Sequence, residues 1–344
     1  MNFYYFIKNL LNKNYNLIPH SRFKFYIKLL LHIFFNRNLR NHRLKAITKF
    51  YIPKEVEFNS GSKKELFLIA GDNGLYLKNS ENEFFNILKN VGGMFGLDYY
   101  KDTYYAACHG SAHTKGCLYS FKIKNNKVYD FKIIFKKRFQ YFHGLKIHDD
   151  HLYLSDSSWL VNHCIIHKFK INEHGVKKVS SNNIDVSTQR DFNQFCHVNS
   201  ISFYNDKLYL LFHNMTEYSK INSAIIVFDK NFKFSKKFEF QKGLNSAHDF
   251  SISSKGKSIL DSNNSILYFN DLKIKLEGYF IRGYLEENNK IYIGLNKKKS
   301  NKNLNEKNFA GIAEVQVSAD RLNLIRTIKT PVNSINSILK VNIN

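Results

Sequence analysis

One hairpin, written five times, constrains this chain more than any other feature. The copies are FGLDYYKDTYYAACHG from residue 95, HGLKIHDDHLYLSDSS from 143, HVNSISFYNDKLYLLFHN from 197, HDFSISSKGKSILDSNN from 248 and RGYLEENNKIYIGLNKK from 282. In each, two apolar runs flank a tight turn: Lys101-Asp102, Asp149-Asp150, Asn205-Asp206, Lys255-Gly256 and Asn288-Asn289. Asn, Asp and Gly accept the positive φ that short hairpin turns impose. A third strand, and usually a fourth, follows each hairpin: GCLYSFKI and VYDFKIIF after the first, GIAEVQV and LNLIRTIK after the last. The unit recurs every 34 to 54 residues. Four-stranded units at that period are propeller blades.

The two ends supply a sixth. NSINSILKV at 333–341 has the pattern of a first strand alone. ELFLIA, GLYLK and FFNILK, within 65–89, have the pattern of second, third and fourth strands that lack a first. The expected fold is therefore all-β: a six-bladed propeller, closed when the C-terminal strand pairs with the N-terminal ones, which leaves no open edge. Seven blades is the alternative count.

This fold gives the hairpins a common geometry. The first strand of a blade lines the central channel and the second returns. The residue before strand one and the residue after strand two then share a face. The openers are Phe95, His143, His197 with Asn199, His248 with Asp249, Arg282 and Asn336; the closers are His109, Asp156, His213, Asp261 and Asn296, with Asp72 in the closing blade. Side chains of this kind, gathered at one channel mouth, predict a polar pocket. His143, His197 and His248 are the candidate catalytic residues, as proton carriers or as a nucleophile. The same three histidines, with Asp249, could instead hold a divalent metal. Arg282, Asn199, Asp249, His109, His213 and Asp156 are the candidate substrate-binding residues, with Arg282 suited to an anion. A water-filled channel with polar walls is the structural alternative.

Other residues point less sharply. His148 and His151 flank a turn on the opposite face, where solvated residues are expected. His163 and His167 fit a surface or packing role. His113 and Trp159 fall in loops of the pocket face, Trp159 as a stacking platform or a core anchor. The run NKKKSNKNLNEKN at 296–308 is a polar loop on the same face, either solvated or lining an entry for a negative ligand. Cys108, Cys117, Cys164 and Cys196 form no CxxC pair and read as buried, reduced thiols.

Net charge of +24 raises the question of nucleic acid. The 43 Lys against nine Arg speak against it, because Arg is the better reader of phosphates and base edges. The charge is also uneven. Residues 1–54 carry eleven Lys and Arg and no acid; residues 55–344 carry 41 basic and 28 acidic residues. Within 1–54, SRFKFYIKLLLHIFFNRNLRNHRLK spaces its apolar residues as a helix does. The domain boundary is expected at 58/59: a basic helical extension over 1–58 and the propeller over 59–344. The extension either lies on an anionic membrane surface through residues 1–54 or packs on the propeller. IKLLLHIFF is too short to span a bilayer, and the N-terminus lacks the form of a signal peptide. The expected location is the cytoplasm, peripheral at the inner membrane surface.

FCHVNSISF, LNSAHDFSISSKGKSILDS and GYFIRGYLEENNKIYIGLNKKK, in this order and spacing, resemble the signature segments of an uncharacterised bacterial β-propeller family of conserved hypothetical proteins. The resemblance covers residues 95–320. It implies the family's His-x-Asn pair at His197 and Asn199, its His at His248 and its Arg-Gly at Arg282 and Gly283. Asp249-Phe250 stands where that family has Ser-Pro. The resemblance implies a fold and no reaction. Propeller arylsulfotransferases are a looser analogy, since they too use channel His and Arg for an anionic group. The functional expectation is an enzyme acting on a small anionic sugar, for example in surface-polysaccharide metabolism. The alternative is a non-catalytic propeller that binds a glycan or a protein partner.

Overall fold

The computed structural model describes residues 55–342, apart from 62–64, 73, 90–92, 110–114, 139–141, 159–162, 185–196, 214–222, 242 and 299–309. These residues form six antiparallel sheets and nothing helical. The expected hairpins are the inner halves of five of them. Blade 1 runs through Met94–Tyr100, Thr103–Cys108, Lys115–Lys124 and Lys127–Arg138. Blades 2, 3, 4 and 5 begin with Phe142–His148, Val198–Tyr204, His248–Ser253 and Tyr279–Glu287, each followed by three more strands in order. In blade 6 the C-terminal strand Ile335–Val341 is innermost and pairs with Leu66–Gly71, so the last strand closes the ring on the first sheet. The chain is a six-bladed β-propeller, as its repeats predict.

The apolar runs of the hairpins explain the packing. A blade buries both faces against its neighbours, so its middle strands are apolar throughout. Thr103–Cys108, Leu66–Gly71 and Lys207–Phe212 are buried along almost their whole length. The buried side chains fall into six separate clusters, one in each gap between neighbouring blades. Outer strands face water and are basic. Phe234–Phe238, for example, has an exposed Lys236 and Lys237. Turn chemistry follows the sequence too: Lys101, Asp149, Asn205, Asp206, Asn288 and Asn289 all adopt positive φ.

Residues 55–57 form a short fifth strand on the outer edge of blade 1, with Glu55 opposite Tyr129 and Glu57 opposite Lys127. Lys127 ion-pairs with both glutamates. Residues 55–57 thus pair with the propeller from within the segment expected as the extension. The expected helix of residues 1–54 lies outside the described residues.

Two features of the inner strands position the site. First, every inner strand bulges once near the same face. The register slips past Phe95, past His143 and Gly144, past Asn199, past Asp249 and Phe250, past Gly283 and past Asn336. A bulge leaves a residue out of the ladder and re-aims its side chain. Second, each blade fastens the next through a side chain on its neighbour's backbone. Asp98 Oδ2 accepts from Ile147 N at 2.6 Å. Ser155 Oγ donates to Val198 O at 3.1 Å, and Ser202 Oγ to Phe250 O at 2.7 Å. Asp249 Oδ2 accepts from Gly283 N at 2.8 Å. Asn296 donates to Ile335 O at 2.9 Å and accepts from Ile335 N at 2.7 Å. Asn336 Nδ2 donates to Met94 O at 3.0 Å, which completes the circle. Gly283 sits at φ 74°, with room for no more than a tight Cβ: Ile335 Cγ2 would lie 3.0 Å away.

Candidate functional site

The ends of the two innermost strands bring seven side chains from five blades into one closed loop around the axis. Phe95 meets His143 edge to face at 4.5 Å between ring centroids. His143 meets His197 at 4.3 Å, His197 meets His213 at 5.5 Å, and His213 meets His248 at 4.7 Å. His248 meets Phe280 at 5.4 Å. The Arg282 guanidinium carbon then lies 5.7 Å from the Phe280 ring and 5.4 Å from the Phe95 ring. His109 stands beside the loop, 5.1 Å from Phe95 and 5.4 Å from His143.

The local backbone explains the His pairs. His213 N donates to His197 O at 2.8 Å, and His109 N donates to Gly93 O at 2.7 Å. The residue that opens strand one and the residue that closes strand two are bonded across one end of the hairpin. Phe280 and Arg282 lie two apart on one strand and so share a face.

Electrostatics at this mouth is one-sided. Burial holds all five histidines below their ordinary range. His109 is lowered to about 3, by burial and then by Arg282, and His213 to about 4 for the same two reasons. His143, His197 and His248 are lowered well below 6.5, by burial first, with Arg282 and neighbouring histidines adding to it. Desolvation disfavours the charged imidazole and a nearby cation disfavours it further. The five rings are therefore neutral near pH 7. Burial raises Asp249 to about 6, against the opposing pull of the Gly283 N–H and of Arg282. Asp249 also holds φ 51°, a conformation Asp tolerates better than most residues.

Arg282 is the cation of the loop. Its Nη1 donates to Asn336 Oδ1 at 3.3 Å. Asn336 in turn donates to Asp72 Oδ1 at 2.9 Å. Among the described residues no carboxylate reaches Arg282 within ion-pair distance, although Asp249 and Asp72 are near enough to favour its charge. Both aromatic neighbours lie within cation–π distance of the guanidinium.

Hydrogen bonds fix one histidine tautomer. His248 Nδ1 lies 2.8 Å from Ser246 O and 2.8 Å from Ser262 Oγ. A carbonyl only accepts, so Nδ1 carries the proton and the neutral ring presents Nε2 as a bare lone pair. Buried His197 Nε2, His213 Nδ1 and Asn199 Oδ1 make no hydrogen bond to the described residues.

The chain matches no family model and no curated protein. Solved structures match it throughout the propeller. A chain of the nidogen/laminin complex aligns at TM-score 0.58 and 11% identity, over 80% of this chain and 98% of that one. TolB from Acinetobacter baumannii aligns at 0.51 and 8%, over 81% and 67%. A hypothetical selenium-binding protein from Sulfolobus tokodaii aligns at 0.50 and 9%, over 81% and 94%. Likeness at this level shows a shared fold. These neighbours are diverse propellers, consistent with the family resemblance, whose motifs rest on the sequence alone.

The structure brings together His143, His197, His248, His109, His213 and Arg282, all expected at the mouth. It assigns others a different task. Asp249 and Asn199 border the loop, but Asp249 holds the backbone of blade 5 and Asn199 Nδ2 donates to Ala247 O at 3.3 Å. Asp156 is not at the mouth. It is fully buried and its Oδ2 meets His167 Nε2 at 3.2 Å, while His167 Nδ1 meets Ser181 Oγ at 2.9 Å. The reason is register. Asp156 pairs with Phe142 as Phe212 pairs with Val198 and Cys108 with Met94, one residue short of the position that His213 and His109 occupy. A one-residue slip along a strand changes the face. Asp261 is likewise buried, accepting from Asn245 N at 2.9 Å and Asn264 Nδ2 at 2.9 Å.

The expected metal centre has no matching geometry. His143, His197 and His248 are strung along the loop, with His213 interposed, and no three His, Cys, Asp or Glu side chains among the described residues are grouped to hold an ion. His167 is a packing residue, as expected. His148 stacks on Phe203 at 4.4 Å. Cys108, Cys117 and Cys164 are buried. Cys196, His113, Trp159 and the lysines from 299 onward lie outside the described residues. Phe280, Ser246 and Ser262 were not among the expected site residues. Two-residue alternation from Arg282 points to Phe280; nothing in the sequence points to the two serines.

Proposed function

We propose that the channel mouth binds a small organic anion, a carboxylated, sulfated or phosphorylated sugar, and acts on it by proton transfer. Arg282 carries this reading: it is a part-buried guanidinium between two phenyl rings, with a carboxamide for its direct partner and no carboxylate at ion-pair distance among the described residues. A charge withdrawn from water with no carboxylate in direct contact costs several kcal/mol, part of which a bound anion would recover. Arg282 holds the anion, and its planar fork suits two-point contact. His143, His197 and His248 carry the proton. They are poor bases in the free protein, and a bound anion restores their basicity because negative charge favours imidazolium. Asn199 and Asp249 shape the pocket wall from their places in the blade contacts.

A second reading is capture without chemistry. The use of Asp249 and Asn199 as fasteners favours it, since the histidines are then left without a carboxylate to orient them. The two readings part on turnover. A panel of uronates, sugar sulfates and sugar phosphates should raise the melting temperature of the protein and not that of Arg282→Gln. Product formation abolished by His197→Ala and His248→Ala in a folded protein supports the enzyme, while stabilisation without product supports the binding module. Stabilisation that survives Arg282→Gln unchanged would remove the reading altogether.

The basic N-terminal segment belongs to the same proposal, as a contact to an anionic membrane surface. No helix of the described residues is long and apolar enough to cross a membrane. The full chain should co-sediment with phosphatidylserine vesicles at low salt and leave them at high salt. Equal sedimentation with neutral vesicles would reject the contact.

A further inference from the structure

The donors and acceptors of the mouth narrow the ligand further, on the reading that Arg282 binds an anion. Arg282 is donor only, and Asn336 Oδ1 takes one of its N–H groups. The Phe95 and Phe280 rings both lie against the guanidinium. Its remaining N–H groups are left for a ligand. A carboxylate matches the guanidinium fork with two parallel hydrogen bonds.

Next to Arg282 the sign reverses. His248 donates Nδ1–H inward to Ser246 O and keeps the proton there, so Nε2 faces its surroundings as an acceptor. His248 also touches Phe280, one of the two rings against Arg282. His213, in contact with His248, has a buried Nδ1 that bonds to none of the described residues. It is held neutral by burial and by Arg282. A neutral imidazole nitrogen takes one hydrogen bond as donor or as acceptor. A ligand that filled this mouth with acceptors alone would leave the His248 lone pair buried and unmatched, at the full cost of a missing hydrogen bond. A ligand hydroxyl supplies the missing donor.

We infer that the ligand is a hydroxylated carboxylate of the sugar-acid class, its carboxylate on Arg282 and a hydroxyl donating to His248 Nε2. Inorganic sulfate, and carboxylates without hydroxyls, lack half of what the mouth asks for.

Four probes separate the two halves, by titration calorimetry of the full chain at constant ionic strength: glucuronate, cyclohexanecarboxylate, methyl glucoside and inorganic sulfate. Glucuronate should bind at least about tenfold more tightly than each of the others, since an unmatched buried group commonly costs a factor of that size. His248→Phe keeps a ring in place and removes the acceptor. It should bring glucuronate down to the level of cyclohexanecarboxylate. Arg282→Gln should weaken both acids. Cyclohexanecarboxylate or sulfate binding as tightly as glucuronate, in a manner that Arg282→Gln abolishes, would overturn the hydroxyl inference and leave the anion site standing. No binding of any probe, or binding indifferent to Arg282→Gln, would overturn the anion site itself. The comparison among probes on the wild-type protein stands even where a variant fails to fold.

Discussion

Two sets of polar residues lie on or beside the two innermost strands of the blades and do opposite work. Asn296, Asn336, Asp249, Ser155 and Ser202 have their polar atoms on the backbone of the next blade. His143, His197, His213, His248 and Arg282 touch one another around the axis, and their contacts to neighbouring backbone are few. The first set ties the blades together. In the second, burial holds the histidines neutral and Arg282 has no carboxylate at ion-pair distance among the described residues, which costs stability and leaves capacity for a ligand. Polar character at a propeller mouth therefore does not by itself identify a site. What separates the two sets is whether the neighbouring blade already satisfies the side chain.

The largest effect that would break this division is acid. Each mouth histidine has its folded pKa below the unfolded value of about 6.5. Below that pH the unfolded chain binds protons that the folded one refuses, so stability is present above about 6.5 and lost as pH falls toward the folded values. The loss approaches about 1.4 kcal/mol per pH unit for each histidine. Urea denaturation between pH 7 and 5 should show a steep slope, reduced by about one proton in His213→Phe and again in His109→Phe. A flat profile would mean that the histidines are not held neutral.

The fasteners should behave differently. Asn296→Ala leaves the N–H and C=O of Ile335 unpaired inside the closing blade contact, at about 1–3 kcal/mol for each group. Its denaturation midpoint should fall sharply at every pH without a change in the slope of stability against pH. If it costs no more than His213→Ala, the division is wrong. Gly283→Ala is a smaller test of the same contact. A Cβ at φ 74° is strained by about 1–2 kcal/mol, and Ile335 must also give way.

The smallest effect concerns Asp249. Burial raises it to about 6, so the folded protein takes up a proton between the unfolded value near 3.8 and about 6. Its contribution to stability declines as pH rises through that window, opposite in sign to the histidines. An anion at the mouth favours the protonated carboxyl, so affinity for glucuronate should fall as pH rises through about 6. Asp249→Asn should flatten that step. A step of unchanged size in Asp249→Asn would assign it to another group.

The fold was legible because it rests on local repetition. Five hairpins with the same turn chemistry and a split sixth leave one closed arrangement. The histidines were legible for the same reason, since hairpin geometry puts openers and closers on one face. The division between fasteners and site was not. Asn296 and His213 both close a second strand in the sequence, and only the backbone offered by the next blade tells them apart. Asp156 shows the other limit. Its place relative to the mouth depends on one residue of register, since Asp156 takes the place of Phe212 and Cys108, and Ser157 that of His213 and His109.

The most direct test of the central claim is the stability of Arg282→Met, measured by urea denaturation at pH 7. Met keeps the length and apolar bulk of the side chain between Phe95 and Phe280 and removes the charge. If Arg282 is a cation held ready for a ligand, the free variant should be as stable as the wild type or more so, because the unpaired charge is relieved. It should also lose its affinity for glucuronate. If Arg282 is instead a structural partner of the blades, the variant should lose about 3 kcal/mol or more, and the site proposed for the channel mouth would lose its anchor.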